Sequence, residues 1–256
     1  MSADRAGRPH LSIVIPAYNE EQRLEPTLAS IHEYVDRRKI NAEVLVVDDG
    51  STDGTRRLAE RQLRNRGRVV VVPENRGKGH AVRRGIQEAS GRWVLMTDAD
   101  LSTPIEEYEK LADAARDHDL DLAFGSRALA SSKIEVRQNP VRETMGKTFN
   151  RLIRLTTGLT FRDTQCGFKL MDRERVGPLF ERMIVDRFAF DVELLYLSVH
   201  FGLRIEEVPV VWRNDPHSHV SLLADPLRMM FDVGRVRWRF RRGGYNPDPT
   251  GAGAEG

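Results

Sequence analysis

The chain of 256 residues contains a single cysteine, Cys166, and its formal net charge is only +2. One cysteine excludes an internal disulfide and is compatible with a reducing compartment, so we expect a cytoplasmic protein. The small net charge argues against general nucleic-acid binding. No apolar run approaches the roughly 18 residues of a membrane-spanning helix, and the N-terminal segment lacks the apolar stretch of a signal peptide. Any contact with a membrane is therefore expected to be peripheral.

Two common nucleotide-binding motifs are also missing. A Rossmann-type dinucleotide site needs G-x-G-x-x-G after its first strand, where this chain has IPAYNEEQR. The chain contains no P-loop of the form G-x-x-x-x-G-K-[ST]. Both kinds of site are therefore excluded, although a hydrophobic content of 40% is enough for a substantial core.

Short apolar runs alternate with segments of helical periodicity in the first half of the chain. We predict strands at 11–15, 44–47, 69–72, 93–96 and 122–124, and helices at 24–35, 55–63, 80–89 and 105–115. This order predicts an α/β fold in which helices flank a mostly parallel sheet whose strands are buried on both faces. Beyond residue 125 we predict helices at 140–155 and 190–199, and a strand at 205–211 with Pro209 at a sheet edge.

Polar and acidic residues follow four consecutive predicted strands. Because ligands of open parallel sheets bind beyond the carboxyl ends of the strands, we expect these side chains to meet in one site. The set comprises Pro16, Tyr18 and Glu20 after the first strand, Asp48 and Asp49 after the second, Lys78 after the third, and Asp98 and Asp100 after the fourth.

The segment Asp98-Ala99-Asp100 is the strongest candidate for a metal site. Mg²⁺ and Mn²⁺ prefer oxygen ligands, usually one or two carboxylates together with substrate phosphates. A nucleoside diphosphate that leaves a sugar needs this kind of charge compensation. The alternative interpretation is a solvated acidic turn or a helix cap.

The other two loops each have two interpretations. Asp48 and Asp49 either contact a nucleotide base or help to cap the following helix. The two glycines around Lys78 either let the backbone approach phosphates or simply form a flexible loop with an exposed lysine.

The motifs IPAYNEE, VVDDGSTDGT, NRGKGHAVRRG, DADLS and FGSR resemble, in order and spacing, the inverting family of processive and lipid-linked glycosyltransferases with the GT-A fold. The later segment SKIEVRQNPVRETMGKTFNRLIRLTTGLTFRDTQCGFKLM is similar to dolichyl-phosphate β-glucosyltransferases and other polyprenyl-phosphate sugar synthases. The resemblance implies one GT-A domain at 11–242, with a nucleotide-sugar half at 11–125, an acceptor half at 126–225 and a basic amphipathic segment at 226–242. We expect residues 1–10 and 243–256 to be disordered.

The resemblance also implies a role for each matching residue. Those on the donor side are Pro16, Tyr18 and Glu20 in the nucleotide pocket, Asp48 and Asp49 at the base or ribose, Lys78 beside the nucleotide, and Asp98 and Asp100 at the sugar nucleotide and the metal. Those on the acceptor side are Ser126 and Arg127 near the acceptor phosphate, Gln165 facing donor sugar and acceptor, and Asp191 and Glu193 where the family often has its base. Asp100, Arg127 and Asp191 are thus the candidate catalytic residues.

The predicted reaction is a metal-dependent, inverting transfer of a hexose from a nucleotide sugar to a polyprenyl monophosphate. Many mannose-phosphate synthases have glutamine two residues after the second aspartate, where this chain has Ser102. This departure favours UDP-glucose as the donor, with GDP-mannose still possible, and leaves one metal ligand in doubt. The expected cofactor is Mg²⁺ or Mn²⁺, and the expected location is the cytoplasmic face of a membrane.

The acceptor determines which catalytic group is needed. A hydroxyl acceptor needs a carboxylate base, for which Asp191 is the candidate. A phosphate monoester has a second pKa of about 6 and is largely a dianion at neutral pH, so it needs cations rather than a base. Arg127 is the first candidate for this role and Arg137 and Arg142 are the next.

A basic segment lies near the end of the chain, where residues 226–242 contain six arginines and one aspartate. Leu227, Met230, Phe231 and Trp238 recur at helical spacing within it. Such a helix either lies in a membrane interface or packs against the body, and a strand at 235–241 is a further alternative.

Two other functions stay open, transfer to a soluble hydroxyl acceptor and a catalytically silent nucleotide-sugar-binding or membrane-scaffold protein.

Overall fold

The computed structural model describes residues 8–136, 140–214 and 224–245. The first half contains β1 (Leu11–Ala17), α1 (Glu21–Arg38), β2 (Ala42–Asp49), α2 (Thr55–Leu63), β3 (Gly67–Val72), α3 (Lys78–Glu88), β4 (Trp93–Met96), a 3-10 turn (Ile105–Glu107), α4 (Tyr108–Asp117) and β5 (Leu122–Ser126). The second half contains β6 (Lys133–Val136), α5 (Pro140–Thr157), β7 (Lys169–Asp172), α6 (Arg173–Arg182), α7 (Phe190–His200), β8 (Ile205–Pro209), β9 (Val211–Arg213) and α8 (Ala224–Arg241).

Seven strands form the main sheet in the order β3-β2-β1-β4-β7-β5-β8. Only β7 runs antiparallel to its two neighbours, β4 and β5, so the prediction of a mostly parallel sheet is confirmed. A separate two-stranded parallel sheet joins β6 to β9. The antiparallel strand β7 was not predicted, because its four residues follow directly on the DTQCGFK motif and precede α6 without a clear turn signal.

Helices cover both faces of the main sheet. One apolar layer includes Leu28 of α1, Leu58 of α2 and Leu111 of α4, and the other includes Val82 of α3 and Phe180 of α6. The central strands are buried on both faces, as expected for parallel strands between two helical layers. The prediction was wrong for β3, where the side chain of Val71 is 40% exposed because this strand lies at the edge of the sheet.

The predicted strand at 205–211 is in fact two strands. Strand β8 forms the other edge of the main sheet and contains Pro209, in agreement with the expected edge position. The chain then leaves the main sheet at Val210 and pairs as β9 with β6. A proline lacks the backbone N–H needed for further pairing, which is consistent with the end of β8 at this point.

Ordered contacts extend beyond the predicted limits of the domain at both ends. His10 donates its backbone N–H to the carbonyl of Asn41 (2.8 Å). Tyr245, which the prediction assigned to a disordered tail, is 1% exposed and donates its hydroxyl to Glu193 (2.5 Å). A buried carboxylate that accepts from a tyrosine explains why the chain is held at this point. The rest of the two predicted disordered segments, 1–7 and 246–256, lies outside the described residues.

The basic segment near the C-terminus forms helix α8, so the strand alternative is wrong. Met229, Val233 and Val236 of this helix are buried against the body. Among the residues that the structure describes, none of the helices combines the length and the hydropathy needed to cross a bilayer.

Candidate active site

The loops after β1 and β2 are tied to each other at the carboxyl edge of the sheet. The backbone N–H of Asn19 donates to the hydroxyl of Ser51 (3.0 Å), and the side-chain oxygen of Asn19 accepts from the N–H of Thr52 (2.9 Å). Pro16 is buried within β1, whereas the ring of Tyr18 is 41% exposed at the rim. Of the residues predicted for the nucleotide pocket on this loop, Tyr18 is therefore the one that offers a surface to a ligand.

Helix α1 holds the Asp98–Asp100 segment in place. The hydroxyl of Thr27 donates to the carbonyl of Ala99 (2.7 Å). The guanidinium of Arg23 forms a bidentate pair with Glu20 (2.7 Å) and lies 4.0 Å from Asp100. Sequence reasoning missed both Arg23 and Thr27, since neither stands at a strand end.

Asp48 and Asp49 are both buried at 2% exposure, but they organise different loops. Asp48 accepts the N–H of Ser51 (3.1 Å), and Asp49 accepts the N–H groups of Arg76 (3.2 Å) and Gly77 (2.7 Å). Burial raises the pKa of Asp49, and these donors offset the shift only in part. Asp49 therefore fixes the turn that carries Lys78, which is neither of the two roles considered from the sequence.

Lys78 contacts the acidic segment directly, since its Nζ lies 2.6 Å from Oδ1 of Asp98. Burial lowers the pKa of Lys78, but the carboxylates of Asp98, Asp191 and Asp100 outweigh burial and raise it overall. The preceding Gly77 has a φ of +110°, and a Cβ there would lie 2.6 Å from the carbonyl of Asp186. This glycine is thus required by conformation and by close backbone contact, so the flexible-loop interpretation is wrong.

Asp98 and Asp100 form a site with excess negative charge. Burial and the nearby Asp98 both raise the pKa of Asp100, against the N–H of Ser102, which donates to Asp100 (2.9 Å). No group of three or more His, Cys, Asp or Glu residues suited to a metal occurs among the described residues. Two crowded carboxylates still fit a hard divalent cation that takes its remaining ligands from a diphosphate and water.

Asp191 lies in a buried ion pair. Its Oδ1 is 2.6 Å from Nζ of Lys169, and the two side chains are 5% and 0% exposed. Burial raises the pKa of Asp191, whereas Lys169 and Lys78 act in the opposite direction. Lys169 also donates to the carbonyl of Cys166 (2.5 Å), so the pair ties α7 to the loop that precedes β7. Sequence reasoning did not single out Lys169, which the motif DTQCGFK contains.

Arg127 is held by a buried partner, Asp163. The guanidinium donates Nε to one carboxylate oxygen (2.6 Å) and Nη2 to the other (2.8 Å), and the backbone N–H of Arg127 adds a third hydrogen bond (3.0 Å). Burial raises the pKa of Asp163, but Arg127 outweighs burial and holds this pKa below its usual range. Among the described residues, the hydrogen bonds of the guanidinium use Nε and Nη2 and not Nη1.

Glu207 organises the loop around Arg127. It accepts from the hydroxyl of Ser126 (2.6 Å) and from the N–H groups of Arg162 (2.9 Å) and Asp163 (2.7 Å). Ser126 is fully buried and bonded to Glu207, and its predicted contact with an acceptor phosphate stays a prediction. Sequence reasoning missed Glu207, although an acidic residue within a short apolar strand was a signal worth following.

The remaining predicted residues are Gln165, Arg137 and Arg142. Nε2 of Gln165 is 3.6 Å from Sδ of Met229, so this side chain contacts helix α8. Arg137 and the side chain of Arg142 lie outside the described residues. Cys166 is 2% exposed, and burial raises the pKa of its thiol to about 11, which agrees with a packing role.

The arrangement therefore joins two kinds of group at one edge of the sheet. The carboxylates of Asp98 and Asp100 and the amine of Lys78 can hold a metal and the diphosphate of a nucleotide. Arg127, paired with Asp163, offers a guanidinium that can bind a phosphate oxygen. A displacement in which one phosphate leaves and another attacks is chemistry that such a site can support.

Comparison with known proteins shows which family the chain matches. Residues 12–179 match the model described as glycosyl transferase family 2. The chain is 35% identical over 254 residues to dolichyl-phosphate beta-glucosyltransferase of Homo sapiens, covering 94% of this chain and 78% of that protein. It is 33% identical over 247 residues to the protein of the same name from Dictyostelium discoideum, covering 91% of this chain and 76% of that protein.

A solved structure supports the fold. Glucosyl-3-phosphoglycerate synthase from Mycobacterium tuberculosis, in complex with Mg²⁺ and UDP, aligns with a TM-score of 0.66 at 25% identity. The alignment covers 95% of this chain and 82% of that chain. The GT-A fold that the sequence predicted is thereby confirmed.

Proposed function

The chain belongs to glycosyl transferase family 2 and is a glycosyltransferase, and from this premise we propose that it transfers glucose from UDP-glucose to a polyprenyl monophosphate. The transfer inverts the anomeric centre, because the acceptor attacks in line with the departing diphosphate. The choice of a phosphate as the acceptor is supported by the ion pairs of the site. Asp191, the candidate base, is buried against Lys169, whereas Arg127 keeps Nη1 available.

The donor is held by the loops of the first half of the sheet. Asp98 and Asp100 would bind Mg²⁺ or Mn²⁺, and Lys78 would move between Asp98 and the diphosphate. A divalent cation bound there supplies positive charge to the leaving nucleoside diphosphate. Asp49 fixes the turn of Lys78, and Thr27 fixes the carbonyl of Ala99, so both residues position groups that would bind the donor.

The acceptor is held by cations. A polyprenyl monophosphate is largely a dianion at neutral pH, so no group has to remove a proton from it. Arg127 orients one phosphate oxygen through Nη1, and Asp163 fixes the plane of the guanidinium. The bidentate pair with Asp163 leaves Arg127 able to bind phosphate by one edge only, so a second cation has to complete the site. Arg137 and Arg142 are the candidates proposed from the sequence.

The choice of glucose and of UDP has two supports. The two relatives described above are named dolichyl-phosphate beta-glucosyltransferase, and the aligned solved structure contains UDP. Ser102 stands where many mannose-phosphate synthases have glutamine, and its N–H is used to hold Asp100. GDP-mannose is the alternative donor. We place the reaction on the cytoplasmic face of a membrane, because a polyprenyl phosphate is confined to a bilayer and the sequence carries one cysteine.

A soluble hydroxyl acceptor is the second candidate. The aligned solved structure is a synthase of glucosyl-3-phosphoglycerate, which is a small soluble product. In that case Asp191 would have to leave Lys169 and act as the base, and Asp191→Asn would abolish transfer.

The experiment measures release of the nucleoside diphosphate by the purified chain, with Mn²⁺ or Mg²⁺, with UDP-glucose or GDP-mannose, and with or without a short polyprenyl phosphate. We expect UDP release from UDP-glucose that requires the lipid phosphate and falls by at least about 100-fold in Asp100→Ala. Asp113→Ala, an exposed aspartate of α4, is the matched control and should retain the wild-type rate. Release that ignores the lipid phosphate, or that requires 3-phosphoglycerate, would refute the proposed acceptor.

A further inference from the structure

Helices α5 and α8 leave large apolar side chains exposed. Leu155 of α5 is 75% exposed, and Leu227, Phe231 and Trp238 of α8 are 75%, 70% and 59% exposed. The three residues of α8 are four and seven positions apart, so they form one stripe along the helix. The opposite face of α8 is buried against the body. Helix α8 is thus apolar on two faces, and only one of them is covered within the described chain.

Basic residues surround this surface. Residues 143–157 and 226–242 together contain nine basic and two acidic residues. Because the whole chain has a net charge of only +2, the remainder of the protein is negative. Exposed large apolar side chains within a strongly basic surface are the features of a helix that lies in the interface of an anionic bilayer.

We infer that the exposed face of α5 and α8, with Leu155, Leu227, Phe231 and Trp238, docks on an anionic lipid surface. The inference rests on the proposed function in that it names the surface on which a lipid acceptor is met. A second copy of this chain fits less well, because joining two such faces would oppose two strongly basic surfaces. The stripe of large apolar side chains distinguishes the face from one that binds nucleic acid through charge alone.

Helix α8 carries the docking face on one side and contacts the proposed acceptor site with the other. Arg237 of α8 donates to the carbonyl of Thr156 (2.5 Å), which fixes α8 against the end of α5 next to Leu155. On the other side, Met229 contacts Gln165, whose backbone N–H donates to Asp163, the partner of Arg127 (3.2 Å). A bilayer on the exposed face of α8 would therefore be separated from the loop that holds Arg127 by this helix alone.

The aromatic side chains of α8 divide between its two faces. Phe240 packs on the body, with its ring 4.5 Å from that of His200 and 5.3 Å from that of Tyr196. Trp238 points away from these rings and contacts Arg242 (4.4 Å). Trp238 can therefore be replaced without disturbing the core, whereas Phe240 cannot.

The first test is co-sedimentation with vesicles of phosphatidylglycerol mixed with phosphatidylcholine. The triple variant Leu155→Ser, Phe231→Ser, Trp238→Ser should bind at least about tenfold more weakly than the wild type. Val71→Ser is the matched control, because Val71 is an exposed apolar residue on β3 at the far edge of the sheet. Equal binding of the triple variant and the control would overturn the inference. Thermal unfolding of both variants verifies that the fold is retained.

The second test separates charge from apolar contact. Vesicle binding should weaken by about fivefold in each of the variants Arg151→Gln, Arg154→Gln and Arg235→Gln. Added salt should also weaken it. Arg57→Gln and Arg61→Gln on α2 are the matched controls. Equal binding of the wild type to pure phosphatidylcholine would refute the anionic lipid. Self-association that the triple variant abolishes, measured by sedimentation equilibrium, would assign the face to a second copy instead.

Measurements of transfer activity distinguish a failure of the docking inference from a failure of the proposed function. With a water-soluble short-chain polyprenyl phosphate, the triple variant should retain the wild-type rate of UDP release. With a long-chain acceptor in vesicles, its rate should fall in parallel with vesicle binding. Absence of transfer to either acceptor in the wild type would refute the proposed function, while the vesicle-binding result would still decide the docking face.

Discussion

The two sides of the site hold their charged groups in different ways. On the donor side, Asp48, Asp49 and Asp100 accept from backbone N–H groups of nearby loops, and the ion pair of Lys78 with Asp98 is only partly buried. On the acceptor side, Arg127 pairs with Asp163 and Lys169 pairs with Asp191, so side chains hold one another. A carboxylate that accepts hydrogen bonds from backbone N–H groups keeps these partners when a neighbouring side chain is replaced. A buried ion pair, in contrast, leaves an uncompensated charge when one member is lost.

The largest effect is expected at the most deeply buried pair. Lys169→Met leaves Asp191 without its cation, and we expect the free energy of unfolding to fall by about 3–5 kcal/mol. The double variant Lys169→Met, Asp191→Leu should recover much of this loss, because no buried charge remains. Urea denaturation measures both. Lys147→Met, at an exposed lysine of α5, is the control, and an equal loss there would contradict the comparison.

The next effect is expected at Asp163, and it depends on pH. Asp163→Asn removes one member of the fork with Arg127 and should cost about 3 kcal/mol at neutral pH. Because the pKa of Asp163 is lowered in the folded state, its contribution is complete above the pKa of the unfolded chain. The contribution is lost as the pH falls towards the folded pKa. Stability curves of wild type and variant should therefore converge in acid, and parallel curves would contradict this assignment.

A smaller effect is expected at Tyr245, which follows the C-terminal end of α8. Tyr245→Phe removes a hydroxyl that donates to the buried Glu193, and we expect a loss of about 1–2 kcal/mol. Glu193 also accepts from the N–H groups of Ile184 and Val185 (both 2.9 Å), so it keeps two donors. Tyr18→Phe, at an exposed ring, is the control for stability. An unchanged midpoint for Tyr245→Phe would show that the end of α8 contributes nothing to stability.

The smallest effect is expected on the donor side. Asp48→Asn keeps an oxygen that can accept the N–H of Ser51, so the free energy of unfolding should change by less than about 1 kcal/mol. A loss as large as that of Asp163→Asn would erase the difference between the two sides. Chemical denaturation under the same conditions makes the two variants directly comparable.

The sequence also predicted the donor side of the site better than the acceptor side. The loops after β1, β2, β3 and β4 were located correctly, because each follows a buried apolar strand and carries polar residues in a short local motif. Asp163, Lys169 and Glu207 were not assigned, because their partners lie far away in the chain. The contacts of Ser126 with Glu207 and of Asp49 with the turn at Gly77 were not predicted for the same reason, since a motif shows which residue is present but not what it contacts.

The sequence by itself determined the alternation of strands and helices, the edge of the sheet at which the site lies, and the acidic segment at Asp98 and Asp100. These features depend on hydrophobic periodicity and on residues adjacent in the chain, which are local properties. Only the tertiary structure decided that β7 runs antiparallel between β4 and β5, that Asp191 is paired with Lys169, and that α8 covers one apolar face and leaves the other exposed. Each of these depends on burial and on pairing between distant segments, which arise only when the chain is packed.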